Sequence, residues 1–216
     1  MMEAAENVIY NLRNANVKTY PFPHFYVENV FPSNFYWDLL ESLPASDDYH
    51  KGDKEYSGRR FADPNDNPYL AFMKSKQFLW AILDIFHDGV LQRFPDGKLQ
   101  LSTDLRLVRD GKDYHIGPHT DAAWKMISLL FYLPADNRLR KYGTSIYTPK
   151  DKNFRCPGGP HYPFEPFNLV TTAPFLPNTC FGFWKTDNSF HGVEPIDVEC
   201  QRNVLLWNCY EAKPKL

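Results

Sequence analysis

The feature that most constrains this chain is a series of short β-strand patterns that begins after Lys98. Each pattern is rich in β-branched and aromatic residues and is bounded by Pro, Gly or Asn, which favour turns. The predicted strands are 99–109, 126–133, 144–148, 169–172, 179–184, 189–193 and 203–209. Many short strands separated by turns are typical of a barrel or sandwich. A content of 18 prolines favours the same loop-rich β architecture over a helical bundle.

The preceding part of the chain predicts helices. Residues 32–43 have Pro32 in the first turn, apolar residues at helical spacing, and Pro44 as a stop. Residues 69–94 carry a longer helical pattern, which predicts two helices or one with a break near Ser75. We expect the apolar stripe to pack on the outer face of a sheet. The sequence therefore predicts a single domain over 1–216, with a helical part over 1–97 and a β core over 98–216.

Composition narrows the classes of partner. The formal net charge is −2 and the sequence pI is about 6.4, whereas a nucleic-acid-binding protein would be strongly basic. No apolar stretch approaches the ~20 residues that cross a bilayer, and the amino terminus lacks the pattern of a secretory signal. Four cysteines without a Cys-x-x-Cys pair predict reduced thiols rather than a zinc site. We expect a cytoplasmic protein that acts on a small molecule or a peptide, without nucleic-acid or membrane partners; oligomeric state stays open.

Three residues predict a metal site. His119 and Asp121 stand two apart at the entrance to the apolar run 126–133. If their stretch is extended, both side chains point to one face roughly 6 to 7 Å apart, near enough to share one cation. His191 follows much later in the chain. The alternatives are a turn histidine at His119 with Asp121 as a helix or loop cap, and a buried histidine at His191 that a backbone carbonyl satisfies. Two His and one Asp are the ligand set of non-haem Fe(II) oxygenases, which leave open positions for substrate and O₂.

The order of these residues, with Arg202 shortly after His191, resembles the 2-oxoglutarate and Fe(II)-dependent oxygenase superfamily and its prolyl-4-hydroxylase-like branch. The resemblance covers 101–210 and extends more weakly to 21–27, which is similar to the first strand of many members. It implies a mainly β fold with flanking helices, in which a double-stranded β-helix of the jelly-roll or cupin-like kind forms the core. It also implies a dioxygenase that couples decarboxylation of 2-oxoglutarate, to succinate and CO₂, with oxidation of a second substrate. The implied cofactors are Fe(II), 2-oxoglutarate and O₂, with ascorbate as a further candidate.

The resemblance also implies roles for particular residues. Arg202 would bind the far carboxylate of 2-oxoglutarate as a charged, bidentate partner; the alternative is a surface arginine paired with an acidic neighbour. Tyr132 matches a tyrosine that donates to the same carboxylate in the prolyl-hydroxylase-like enzymes; the alternative is ordinary core packing. The chain departs from the family where a tyrosine often precedes the metal motif, because Arg109 stands there and Tyr114 lies closer to the motif. Either could contact the co-substrate or substrate, or could have a structural role. An aspartate at Asp121, rather than a small residue, favours hydroxylation or desaturation over halogenation.

Two further features suggest the substrate side. Trp124, Trp184 and Trp207 are large enough to form a wall of the site, although tryptophans of a β barrel are most often core residues. The irregular stretch 135–168 is long enough to be a functional lid. Its basic residues would select an anionic or polar substrate; the alternative is a solvated basic face. These residues are Arg138, Arg140, Lys141, Lys150, Lys152 and Arg155.

Other functional classes stay open. A cupin-like metal-dependent isomerase or binding protein would need no 2-oxoglutarate pocket and usually draws its ligands mostly from His, so Arg202 and Asp121 count against it. A catalytically silent interaction module would not need an intact ligand set. A zinc hydrolase lacks a nearby Glu at metalloprotease spacing. Within the oxygenase interpretation the substrate is undetermined: peptidyl proline, a free amino acid, a nucleotide sugar and a lipid all remain open.

Overall fold

A computed structural model of the chain describes residues 2–51 and 56–212. Its helices are α1 (Met2–Arg13), α2 (Ser33–Glu41), α3 (Lys76–Ile85) and α4 (His87–Arg93), with 3₁₀ turns at Ser46–Asp48 and Pro68–Lys74. Its strands are β1 (His24–Glu28), β2 (Arg59–Ala62), β3 (Leu101–Asp110), β4 (Ile116–His119), β5 (Lys125–Tyr132), β6 (Thr144–Pro149), β7 (Phe167–Ala173), β8 (Thr179–Trp184), β9 (His191–Val193) and β10 (Arg202–Glu211).

The strands build two antiparallel sheets. Within the described ranges, the larger sheet has six strands in the order β1-β8-β5-β10-β3-β2, and the smaller has four in the order β4-β9-β6-β7. Strand β10 pairs along its length with β3 on one side and with β5 on the other. In the smaller sheet, β4 lies beside β9, although the two strands are far apart in sequence. The fold is therefore mainly β, with the helices in the amino-terminal part.

Alternation along β5 shows how the large sheet separates two environments. Ile127, Leu129 and Phe131 are fully buried in the main apolar core, which also contains residues of α1, α2 and α3. Ser128 and Leu130, on the opposite face by the two-residue period, line an internal cavity. One face of the sheet thus carries the helices, as the sequence predicted, and the other is free to form a site.

Trp207 joins the sheet to the helical layer. Its side chain is fully buried, its indole Nε1 donates to the carbonyl of Met73 at 2.9 Å, and its ring meets Phe78 edge-on at 5.5 Å. Helix α3 begins two residues before Phe78. The Ser75 hydroxyl caps this helix by accepting from the Phe78 amide at 3.1 Å. The predicted break near Ser75 is therefore confirmed.

Each of the seven predicted strands has a counterpart in the structure, within a few residues at each end. Three elements were not predicted: helix α1, and strands β2 and β4. Strand β4 reads Ile-Gly-Pro-His, and Gly and Pro disfavour a strand, so it forms through its pairing with β9 rather than through local preference. Strand β2 is short and begins with two arginines at the sheet edge. None of the helices in the described part of the chain is long and apolar enough to span a membrane. All four cysteines are free thiols.

Replacing Trp207 with alanine should lower the free energy of unfolding by about 3–5 kcal/mol, because the change opens a cavity and leaves the Met73 carbonyl without its donor. Urea denaturation followed by circular dichroism measures the loss. Trp124→Ala is the matched control, since that side chain is 49% exposed and should cost about 0.5 kcal/mol or less. Equal stabilities of the two variants would contradict the assigned role of Trp207.

Candidate functional site

His119, Asp121 and His191 meet at one point, as the sequence predicted. His119 ends β4 and His191 begins β9, and the two residues are register partners whose ring centroids lie 4.3 Å apart. Asp121 follows in the turn after β4. The potential ligand atoms of the three side chains all lie within 4.8 Å of one another. The arrangement can hold a single small cation.

The backbone fixes the tautomer of both histidines. The Nδ1 atom of His119 is 3.0 Å from the carbonyl oxygen of Gly117, and that of His191 is 2.9 Å from the carbonyl oxygen of Ser189. A carbonyl can only accept, so each Nδ1 carries the proton and donates it. Each Nε2 therefore keeps its lone pair, which is the state that a metal requires.

The carboxylate of Asp121 is oriented by two donors. The hydroxyl of Ser128 donates to Oδ2 at 2.8 Å, and the ammonium of Lys125 lies 3.1 Å from the same oxygen. Both contacts involve Oδ2, so Oδ1 is the oxygen that would face a cation. Such support is typical of metal-binding carboxylates.

The protonation states of these three side chains also suit a metal. Burial lowers the pKa of His119 well below its ordinary value, and the neighbouring His191 and His161 lower it further. Burial likewise lowers the pKa of His191. For Asp121, burial would raise the pKa, but the positive charge of Lys125 and the hydrogen bond from Ser128 favour the carboxylate, and the pKa lies below its usual range. Both imidazoles are therefore neutral and the carboxylate is ionised near neutral pH, as metal binding demands.

The three residues line a cavity of about 760 Å³, within the size range of small-molecule sites. The cavity follows one face of β10, because every second residue of that strand lines it. These residues are Arg202, Val204, Leu206, Asn208 and Tyr210, and Glu211 at the end of the strand also lines the cavity. With a rise of about 3.3 Å per residue, the two ends of this row lie on the order of 25 Å apart. The cavity therefore has two distinct ends.

At one end, a buried ion cluster joins three strands. The Nη1 atom of Arg202 donates to Asp110 Oδ2 at 2.6 Å, and the Nε atom of Arg59 donates to Asp110 Oδ1 at 2.6 Å. Arg202 and Asp110 are almost completely buried, so Arg202 is not the surface arginine of the alternative interpretation. Two cations and one anion leave one positive charge unbalanced. Burial of such a charge is costly unless an anion joins it.

The same end holds two unmatched donors. Among the residues that the structure describes, Nη2 of Arg202 and the hydroxyl of Tyr114 are buried without a hydrogen-bond partner. Burial raises the pKa of Tyr114, so its hydroxyl keeps the proton. Tyr114 also lies under the guanidinium of Arg59, 4.3 Å from the ring centroid. Together with the excess charge, these donors suit a carboxylate.

Tyr132 takes a different position from the one predicted for it. Its hydroxyl donates to Thr144 Oγ1 at 2.8 Å and accepts from the Thr144 amide at 3.0 Å. Thr144 lines the cavity, whereas Tyr132 lies behind it, with the Arg202 guanidinium 5.7 Å from its ring centroid. Tyr132 therefore holds Thr144 on the cavity wall.

Arg109 lies outside the cavity. Its Nε donates to Asn203 Oδ1 at 2.8 Å, its guanidinium stacks 3.8 Å from the centroid of Tyr49, and it lines a separate pocket. Neighbouring residues of a strand face opposite sides, so Arg109 points away from the face of β3 on which Asp104 and Arg106 line the cavity. This position does not support the predicted contact with a co-substrate. The sequence analysis missed Arg59, Asp110 and Thr144, because their roles depend on pairings between distant strands.

Part of the predicted lid covers the metal-binding turn. The hydroxyl of Thr120 donates to the carbonyl of Cys156 at 2.8 Å, and the ring centroid of His161 lies 4.5 Å from that of His119. Gly158 has a φ of +136°, and a Cβ there would lie only 2.4 Å from the carbonyl oxygen of Asp121. Residues 156–161 thus approach the site closely, and Gly158 allows that approach.

The basic residues of this stretch lie elsewhere. Among the described residues that line the cavity, none of the six basic residues proposed to select substrate is present. Arg138 pairs with Asp136 at 2.7 Å and Lys141 with Asp197 at 3.3 Å, on the surface. The prediction that they select an anionic substrate is not supported, and the solvated-face alternative fits their positions. Of the three tryptophans, Trp124 lines the cavity, whereas Trp184 and Trp207 belong to the main core.

Comparison with known proteins finds likeness in structure but not in sequence. No protein-family model matches the chain, and no curated protein is significantly similar to it. Among solved structures, a prolyl-4-hydroxylase from Pseudomonas putida superposes with a TM-score of 0.57 at 13% identity, covering 97% of this chain and 100% of that one.

Two further solved structures share the fold. HygX from Streptomyces hygroscopicus, solved with nickel, 2-oxoglutarate and hygromycin B bound, has a TM-score of 0.56 at 12% identity, with coverage of 88% and 83%. A prolyl hydroxylase from Trichoplax adhaerens, in complex with a hypoxia inducible factor peptide fragment, has a TM-score of 0.54 at 12% identity, with coverage of 97% and 90%. The chain shares the fold of these proteins.

Replacing Asp110 with asparagine should lower the free energy of unfolding by about 3–5 kcal/mol, because it leaves two buried guanidinium groups without their shared anion. Thermal and urea denaturation report the change. Asp84→Asn removes the acid of an exposed ion pair with Arg13 and should cost about 1 kcal/mol or less. If Asp110→Asn is as stable as this control, the ion cluster does not hold the strands together.

Proposed function

We propose that this protein is a non-haem Fe(II) and 2-oxoglutarate-dependent dioxygenase that hydroxylates a small molecule or a peptide. The proposal rests on one observation: a single cavity contains both the two-His, one-Asp cluster and a buried end with excess positive charge and unmatched donors. The first feature suits an iron ion and the second suits a dicarboxylate co-substrate. No other arrangement in the described ranges offers three such ligands together.

The donor set fits Fe(II) in both type and charge. His119 and His191 would bind through Nε2, and Asp121 would bind through the oxygen that Ser128 and Lys125 leave open. Three protein ligands leave coordination positions for other molecules, and such a metal supplies the activation of O₂. The same ligands bind nickel or zinc at least as tightly, so the metal found on isolation need not be iron.

The buried charged end fits the far carboxylate of 2-oxoglutarate. Arg202 would donate from Nη2 and Tyr114 from its hydroxyl, and the negative charge would balance the ion cluster. Asp110 holds the Arg202 guanidinium in place, and Arg59 in turn holds Asp110. Thr144, fixed by Tyr132, would complete the wall beside the carboxylate. These contacts would position the co-substrate with its 2-oxo acid end toward the metal ligands.

The neighbours in structure support this proposal. The fold that they share leads us to propose that the two sheets form a double-stranded β-helix and that 1–216 is a single oxygenase domain. HygX was solved with 2-oxoglutarate and nickel, and the prolyl hydroxylase from Trichoplax adhaerens was solved with a peptide. A cupin-like isomerase or a silent binding module would leave the charged end of the cavity without a function.

Replacing His119 with alanine should abolish stoichiometric metal binding, since two remaining ligands hold a divalent ion much more weakly. Anaerobic addition of Fe(II) and 2-oxoglutarate should give a visible chelate absorption in the parent and none in the variant. His115→Ala is the matched control, because His115 is an exposed residue outside the cluster. Full occupancy with the same coordination in His119→Ala would refute the assignment of the metal ligands.

Replacing Arg202 with alanine should weaken 2-oxoglutarate binding by about 30-fold, or ~2 kcal/mol, because the co-substrate loses a charged hydrogen-bond partner. Metal binding should persist. Titration of the chelate absorption gives the affinity, and a denaturation curve confirms that the variant is folded. Arg109→Ala should leave the affinity unchanged, since that arginine lies outside the cavity. The reverse pattern would place the far carboxylate at Arg109.

A further inference from the structure

A row of polar residues crosses the large sheet at the end of the cavity remote from Arg202. Ser128 on β5, Asn208 on β10 and Asp104 on β3 are register partners in neighbouring strands. All three line the cavity. Register partners have Cβ atoms about 4.5–5.5 Å apart, so the row is continuous. Because Ser128 also donates to Asp121, the row begins at a metal ligand.

Asn208 has one polar atom without a partner. Its side chain is 2% exposed, and its Nδ2 donates to Asp104 Oδ1 at 2.8 Å. This bond fixes the orientation of the amide, because turning it over would place Oδ1 against a carboxylate oxygen. Within residues 2–51 and 56–212, Asn208 Oδ1 has no hydrogen-bond donor. A buried, oriented acceptor is therefore available beside the metal cluster.

Two neighbouring donors are committed to Asp104, and Ser128 and Lys125 are committed to Asp121. Arg106 pairs with this carboxylate at 2.8 Å, and the Tyr210 hydroxyl lies 3.3 Å from both of its oxygens. The charges of Asp104 and Arg106 balance. At this end of the cavity, Asn208 Oδ1 lacks a donor. An apolar ligand group beside this atom would leave the buried acceptor unsatisfied. The complementary ligand carries a hydrogen-bond donor.

We infer that Asn208 is a specificity-determining residue that accepts a hydrogen bond from a hydroxyl or amine group of the primary substrate. The inference rests on the proposed function in one respect, namely that the substrate carbon to be oxidised lies near the metal ligands. Arg202 and Asn208 stand six residues apart on β10, about 20 Å along the strand, so they serve separate ligands. The substrate class is a polar molecule with a donor close to the reacting carbon.

The test uses four probes that share a six-membered ring: cyclohexanol and cyclohexylamine carry a donor, whereas cyclohexanone and methylcyclohexane carry none. The full chain is loaded with Zn(II) and 2-oxoglutarate, so that no turnover occurs, and probe affinities are measured by NMR titration. In the parent, a donor-bearing probe should bind about tenfold more tightly than cyclohexanone. Because cyclohexylamine is protonated at neutral pH, its binding also reports attraction to the carboxylates that line the cavity, so cyclohexanol is the probe that isolates the hydrogen bond.

Three variants decide the role of Asn208. Asn208→Leu should abolish the preference for donors, and Asn208→Ala should do the same if the leucine variant fails to fold. Asn203→Leu makes the same change on the same strand at a position outside the cavity, and it should retain the preference. No preference in the parent, including no binding of any probe, would overturn the inference, as would a preference that survives in both Asn208 variants.

The proposed function is tested separately by the Fe(II) and 2-oxoglutarate chelate absorption. The Asn208 variants should keep this absorption, because the residue does not contact the co-substrate end. Absence of the absorption in the parent would refute the oxygenase function without affecting the measured preference among probes. A normal absorption in the parent without any donor preference would refute the role of Asn208 alone.

Discussion

The site depends above all on the buried ion cluster of Arg59, Asp110 and Arg202. These residues come from β2, β3 and β10, so a single carboxylate joins three adjacent strands of the large sheet. The cluster also carries one more positive than negative charge, and its members Asp110 and Arg202 are shielded from solvent. The contacts that stabilise the sheet therefore also leave a positive charge that a bound anion would balance.

The remainder of the cavity follows from strand alternation. On β10, the residues that face the helices form core contacts, and those that face the smaller sheet line the site. Moving from Arg202 to Asn208, the lining changes from cationic through Val204 and Leu206 to neutral and polar. An elongated cavity with chemically different ends can accept two different molecules, with the metal cluster accessible to both. The oxygenase proposal requires this arrangement.

Much of this could be predicted from the sequence, since strands with clear periodicity and the His-x-Asp motif are local signals. The pairing of His119 with His191 was inferred from a resemblance, and the structure brings both together with Asp121. The roles of Asp110 and Arg59 could not be predicted, because a buried ion pair depends on register between distant strands. The choice between Arg109 and Tyr114 as a ligand contact could not be made for a related reason: a shift of one residue along a strand moves a side chain to the opposite face.

The two histidine bonds to backbone carbonyls have one further consequence. Each Nδ1 donates to the carbonyl two residues earlier in its own segment, so the partner is supplied by the local chain rather than by another element. Substitutions in the helices, the lid or the opposite sheet leave these two partners in place. The residues around the cavity can therefore change in evolution while the imidazoles of His119 and His191 keep the same tautomer. The state of the two histidines is in this way independent of the residues that would select a ligand.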